Sequence, residues 1–263
     1  MRKTIHSHSK VEVPRLPKIY DVSGFLTHIE EIKNAEEKAG NFADFIFRGQ
    51  PVDKPLLPKL GRIVPKGNRA NIEMLMFKEF QRTSIALSDL RPQSEWDYLS
   101  LAQHHGLPTR LLDWTYSALA ALFFAVSYPS DELEPEDAVV WLLKTRKEDF
   151  IDESTREQPF EKSGTKIFRP KFVTRRIAVQ AGVFTVHRLS DDDTFVPVDN
   201  NKYFKHRLVK FVVPAANFSY IQQHLDGCGV NRFTLFPDLD GLCSHLAWRF
   251  TKPSDNEIVP SND

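Results

Sequence analysis

The chain has 263 residues, an apolar share of 41% and 20 phenylalanines, enough for a sizeable core, which excludes global disorder. Lysine plus arginine balances aspartate plus glutamate at 35 each, so a surface built for bulk contact with nucleic-acid phosphates is not expected. The two cysteines, Cys228 and Cys243, cannot make a disulfide framework and lack zinc-site spacing; they read as buried free thiols of a reducing cytosol.

Residues 1–20 are polar and proline-containing and read as an extended arm. From Ser23 to Gly40, Phe25, Leu26, Ile29 and Ile32 recur at helical spacing. Phe45-Ile46-Phe47 then reads as a short strand ending at Arg48-Gly49. Residues 51–67 hold four prolines and predict a loop that crosses the surface or covers a site. Asn68 or Asn71 caps a long helix bearing Ile72, Leu75, Met76 and Phe80, and a second helix runs from Glu95 to about His105, stopped by Gly106 and Pro108. A third is expected to begin between Asp113 and Ser117 and to continue to Tyr128, apolar almost all round and therefore buried.

Residues 129–137 form an acidic turn, after which the periodicity changes. Strands are expected at Ala138–Leu143, Val183–His187, Leu208–Val213 and Phe233–Phe236, with 147–170 charged and irregular. Ala215–Leu225 and Gly241–Phe250 read as helices. Helices first and strands later favour an α+β fold, a helical N-terminal half packed on a small, mostly antiparallel, curved sheet. One domain over 21–250 with a polar tail at 251–263 is the expected organisation. The start shows no hydrophobic signal region, and the longest apolar run, Ala118–Val126, is about half the ~20 residues of a bilayer span. A cytoplasmic protein without membrane contact is expected.

Four pieces occur in order: Phe47-Arg48-Gly49-Gln50; Gln103-His104-His105-Gly106-Leu107-Pro108-Thr109-Arg110-Leu111-Leu112-Asp113-Trp114-Thr115; Arg176 to Phe184; and Leu235 to Leu242. Together they resemble the FRG domain family, named for its Phe-Arg-Gly motif, over about residues 40–245. The family is similar to bacterial and phage proteins and brings no accepted catalytic set. The strand ending in aromatic-Arg-Gly also looks like the first core strand of the Arg-Ser-Glu class of ADP-ribosyltransferases. That likeness implies an arginine, here Arg48, on the phosphates and ribose side of NAD, and Gln180 near the nicotinamide ribose. The chain departs from that class in lacking a clear Ser-Thr-Ser strand.

Each candidate residue has an alternative reading. Arg48, followed by Gly49 and Gln50, either binds a ligand or pairs with a carboxylate such as Asp113 or Asp240; Gly49 permits close approach of a ligand or another backbone. His104 and His105 are adjacent at a helix end, so they diverge by about 100° and do not jointly serve one metal ion, for which the i, i+4 spacing is absent. One of them suits general acid/base work and the other a backbone bond that holds the turn. Thr109, Arg110 and Asp113 precede the buried helix: Asp113 either caps it and pairs with Arg110, or Arg110 and the free amides there hold a phosphate. Gln180 does not titrate but can orient a ribose hydroxyl or a water. Asp238 and Asp240 either bond their own turn or face the cleft as acid/base groups. The leading expectation is an ADP-ribosyltransferase-like enzyme with NAD as substrate. Arg48, Gly49, Gln50, Thr109, Arg110 and Asp113 would bind it, and His104, His105, Gln180 and Asp240 would carry the chemistry. A macromolecular acceptor and a toxin or phage-defence role go with that expectation. A nucleotide or nucleic-acid hydrolase using histidine and aspartate, and a non-catalytic module sensing a nucleotide or a partner, remain open beside it.

Overall fold

The computed structural model describes residues 18–41, 44–87, 90–127, 136–151, 158–160, 164–170 and 179–251. Most of the expected arm and tail, most of the acidic turn and residues 176–178 of the third motif lie outside them. The described end of the arm is tied down: Ile19 is buried, and its amide donates to the Val212 carbonyl (2.8 Å).

Side-chain caps set the helix starts. Asp21 accepts from the Gly24 amide to open α1 (Val22–Lys38). Asn68 accepts from Asn71 at α2 (Arg69–Ser84), and Ser94 accepts from Asp97 at α3 (Glu95–His104). Each cap satisfies an amide that the helix itself leaves free. At the end of α3 Gly106 takes φ +84°, its amide donates to the Gln103 carbonyl, and the Leu107 amide reaches back to the Ala102 carbonyl. This paired closure needs a left-handed residue, which glycine supplies without a Cβ clash.

The largest departure from expectation follows that turn. Leu111–Thr115 is a strand, β2, not the start of the buried helix. The apolar helix α4 begins only at Ala118 and ends at Val126, capped by Ser117 rather than Asp113. β1 (Phe45–Gln50) runs one residue past the expected end at Arg48-Gly49. β3 (Ala138–Lys144), β5 (Gly182–Val186) and β6 (Leu208–Val213) agree with the apolar runs, and β4 (Lys166–Phe168) arises within the stretch expected to be irregular. Helix α5 (Phe218–Gly227) follows β6. Phe233–Phe236 is not a strand: α6 spans Arg232–Leu235, opened by reciprocal bonds between Asn231 and Thr234. Asp238 caps α7 (Leu239–Phe250) by accepting from Gly241.

The six strands form one open antiparallel sheet in the order β4-β5-β2-β1-β3-β6, so the chain is α+β. Helix α4, with α1 and α5, packs on one face of β1, β3 and β6 through Phe25, Phe47, Val140, Phe211 and Ile221. On the same face of the other half, α2 and α3 cover β2, β4 and β5 through Phe77, Trp96, Leu111, Phe168 and Phe184. The opposite face is closed by Leu56, Val198 and Phe204 against Ile46, Trp114 and Trp141. Gly49 lets α4 lie directly on the sheet, since a Cβ there would stand 1.9 Å from the Ala121 carbonyl oxygen.

The sheet parts along one seam. β1 and β3 stay paired from Phe45↔Lys144 to Gln50↔Val139, and β2 and β5 from Leu111↔Val186 to Thr115↔Gly182. β1 and β2 share the single pair Phe47↔Thr115. Beyond that pair Arg48, Gly49 and Gln50 separate from Trp114, Asp113 and Leu112, and a cleft opens between the two helical groups.

Candidate functional site

A cavity of about 740 Å³ occupies this seam. β1 contributes Phe47, Arg48 and Gly49; β2 contributes Asp113, Trp114 and Thr115; β5 contributes Gly182 and Phe184. The α3 end adds Gln103, His104, His105 and Gly106, and the proline-containing loop adds Pro51, Lys59 and Arg62. Phe124 from α4 and Gln180 complete the wall. Its size lies within the usual range for small-molecule sites, about 300–1,000 Å³.

Arg48 shares a face of β1 with Ile46 and Gln50 and alternates with Phe47 and Gly49, so its Cβ points to the face opposite α4. Because β1 and β2 part here, its guanidinium spans the seam, and Nη1 donates to the Asp113 carbonyl at 2.7 Å. The same nitrogen lies 3.9 Å from Asp113 Oδ2. Its Nε is buried with no hydrogen-bond partner among the described residues. Burial lowers the pKa of this guanidinium; Asp113 counters the shift and the nearby Arg62 adds to it. An unpaired buried N–H costs about 1–3 kcal/mol, a penalty this guanidinium carries in the folded chain. Of the two readings of Arg48, the structure shows the contact with Asp113, through its carbonyl and at 3.9 Å from its carboxylate.

Asp113 is held from two sides. Thr109 Oγ1 donates to Gln103 Oε1 (2.6 Å), and Gln103 Nε2 donates to Asp113 Oδ2 (2.9 Å). Thr109 is buried and also accepts from the Leu111 amide. The Asp113 side chain keeps 58% exposure, and it is the one carboxylate among the cavity's described lining residues. The cations Arg48, Lys59 and Arg62 outnumber it. Lys59 Nζ donates to the Gly106 carbonyl (2.7 Å) and ties the loop to the His104–His105 turn. The two imidazoles meet edge to face at 5.0 Å, with His105 exposed and His104 half-buried.

Arg48, Gly49, His104, His105, Asp113 and Gln180 thus converge as the sequence suggested, while four other candidates do not line the cavity. Gln50 is buried on the opposite face, where its Oε1 accepts from Trp141 Nε1. Thr109 acts behind Gln103. Arg110 does not pair with Asp113 and is not free to hold a phosphate: its guanidinium is buried against Glu73, with Nη2–Oε2 at 2.6 Å. Asp240 sits exposed in the first turn of α7. Gln180 reaches the cavity, but its Nε2 is bound to the Leu235 carbonyl (3.0 Å) and its own carbonyl accepts from Thr115 Oγ1. Both cysteines are exposed, contrary to the buried-thiol expectation.

Lys59, Arg62, Gln103 and His187 were not among the sequence candidates. The proline-rich loop signalled a cover, and Gln103 opened the densest polar run, yet neither pattern named the side chains that turn inward. His187 lies behind the seam, on the Trp114 side of the sheet. Trp114 Nε1 donates to Thr185 Oγ1 (3.1 Å), and Thr185 Oγ1 lies 3.1 Å from His187 Nε2. An indole only donates, so the Thr185 hydroxyl proton is available to Nε2, which then acts as the acceptor. Burial pushes the His187 pKa from 6.5 down to about 4; the Val196 backbone opposes this, and Arg48 and Arg110 add to it.

Residues 43–134 match the family model described as the FRG domain. Over that segment the chain is similar to the FRG domain family. The match takes in both Phe47–Gln50 and Gln103–Thr115, so the two strands that part at the seam and the α3 turn beside them fall within the matched segment. It stops before Gln180 and before Leu235–Leu242, the two later pieces of the resemblance. No curated protein and no solved structure matches the chain. Among the described residues no helix is long and apolar enough to cross a membrane.

Proposed function

We propose that the cleft binds a phosphate-bearing nucleotide, with NAD as the substrate, and that the protein is an ADP-ribosyltransferase-like enzyme breaking the nicotinamide glycosidic bond. One observation carries the reading: among the described residues, the charged lining of the cavity is Arg48, Lys59 and Arg62 against Asp113 alone. Excess positive charge in a confined, low-dielectric space favours an anionic ligand such as a diphosphate. A guanidinium with one arm already fixed on a carbonyl loses less freedom when it meets that anion. Gln103, His104 and Gln180 supply polar groups of the kind that recognise ribose hydroxyls. Phe124 and Phe184 supply apolar wall of the kind a planar ring needs.

Purified protein and its Arg48→Ala form should be incubated with NAD while nicotinamide release is followed, with NAD binding measured by calorimetry. Release and binding by the wild type, both lost in Arg48→Ala, are expected. Release that persists in Arg48→Ala refutes the role of Arg48. Binding of NAD without any release would favour a nucleotide-sensing module. Turned on a cell's own NAD or on a macromolecular acceptor, such an activity is that of a toxin or phage-defence effector. Growth arrest on expression in bacteria, relieved by Arg48→Ala, is its cellular signature.

A further inference from the structure

We infer that Asp113 is the catalytic carboxylate of this cleft, and that Gln103 and Thr109 are its positioning residues. The inference rests on the NAD reading above and goes beyond it by assigning the charge that faces the reacting carbon. Breaking the C1′–N bond of the nicotinamide riboside sends the bonding pair to nitrogen and releases neutral nicotinamide. The ribosyl carbon becomes electron-poor and develops oxocarbenium character. Water or an acceptor hydroxyl then adds to that carbon and sheds its proton to solvent. The step needs a fixed negative charge near C1′ that does not wander with solvent.

Asp113 is the one carboxylate among the described lining residues. Gln180 carries no charge and its amide nitrogen is committed to Leu235; Asp240 does not line the cavity. The chain behind Asp113 also has a direction. The Leu111 amide donates to Thr109 Oγ1, Thr109 donates to Gln103 Oε1, and Gln103 Nε2 donates to Oδ2. A carboxylate accepts only, so the Gln103 amide must present its nitrogen to Asp113 and its oxygen to Thr109. With Arg48 Nη1 at 3.9 Å from the same Oδ2, that oxygen is anchored. Oδ1 makes no hydrogen bond among the described residues and is left for the substrate.

The test uses the full chain with NAD, and ADP-ribose as a binding probe. Asp113→Asn keeps the shape and the Gln103 bond but removes the charge. Nicotinamide release should fall by about 100-fold or more, the scale for loss of one fixed electrostatic group, while ADP-ribose binding by calorimetry stays within about threefold. Asp113→Ser, unable to place a charge there, should fall equally. Thr109→Val should lower kcat by about tenfold with KM little changed, and Thr109→Ser should restore it, a split that a merely structural hydroxyl would not give. Release by Asp113→Asn near the wild-type rate overturns this assignment and leaves the NAD reading intact. No release by the wild type overturns the NAD reading and this assignment with it.

Discussion

The buried His187 makes stability depend on pH in a calculable way. Its pKa is about 4 in the folded chain against 6.5 for a free imidazole. Between those values the unfolded chain binds a proton that the folded chain refuses, so stability rises with pH and is lost as pH falls from about 6.5 towards 4. The full gap corresponds to about 3 kcal/mol, of which about 2 kcal/mol is already gone at pH 5 relative to pH 7.5. His187→Gln removes the titration, and its amide oxygen can still accept the Thr185 hydroxyl proton. Urea unfolding of both chains at pH 7.5 and 5.0, followed by tryptophan fluorescence, isolates the difference from the other titrating groups. The wild type should lose about 2 kcal/mol more than the variant over that interval. Equal losses, within about 0.5 kcal/mol, would show that His187 is not held neutral by its surroundings.

Two further perturbations test the frame around the cleft. Glu73→Gln leaves the Arg110 charge buried against a neutral partner; a loss of about 3–5 kcal/mol in urea unfolding is expected, and a change below about 1 kcal/mol would refute the buried pair. Gly49→Ala places a methyl 1.9 Å from the Ala121 carbonyl oxygen, so α4 must move off the sheet. Destabilisation on the order of 3 kcal/mol is expected, and a melting temperature unchanged from wild type would contradict that contact.

Much of the frame was legible in the sequence because its signals are local. Phe25, Ile29 and Ile32 mark one face of α1, and Ala138–Leu143 reads as a buried strand from its unbroken apolar run. β2 was not legible: Leu111-Leu112-Asp113-Trp114-Thr115 runs into an apolar helix, and the break rests on a Ser117 cap that looks like any turn serine. Phe233–Phe236 resembles a strand in composition, but the Asn231–Thr234 bonds nucleate a helical turn instead. The site was half legible for a related reason. Arg48, His104 and Asp113 lie in dense polar motifs, whereas Lys59 and Arg62 enter only through the path of a loop. Arg110 read as a phosphate ligand because its partner Glu73, on α2, shows no local sign of burial. The cysteine expectation followed the usual burial of free thiols, and Cys243 instead falls on an exposed face of α7.

The parted seam is also a strand edge turned inward. An open edge on a sheet's outside invites another chain to pair with it, and proteins blunt such edges with charges, prolines or bulges. Here the separating stretches of β1 and β2 face each other across a cavity roofed by the Pro51–Arg62 loop and the α3 turn. Peptide groups that a flat sheet would spend on its neighbour are withheld from aggregation yet remain within reach of a guest small enough to enter. Backbone as well as side chain can therefore contribute to recognition, and such contacts would survive substitution of the residues that carry them.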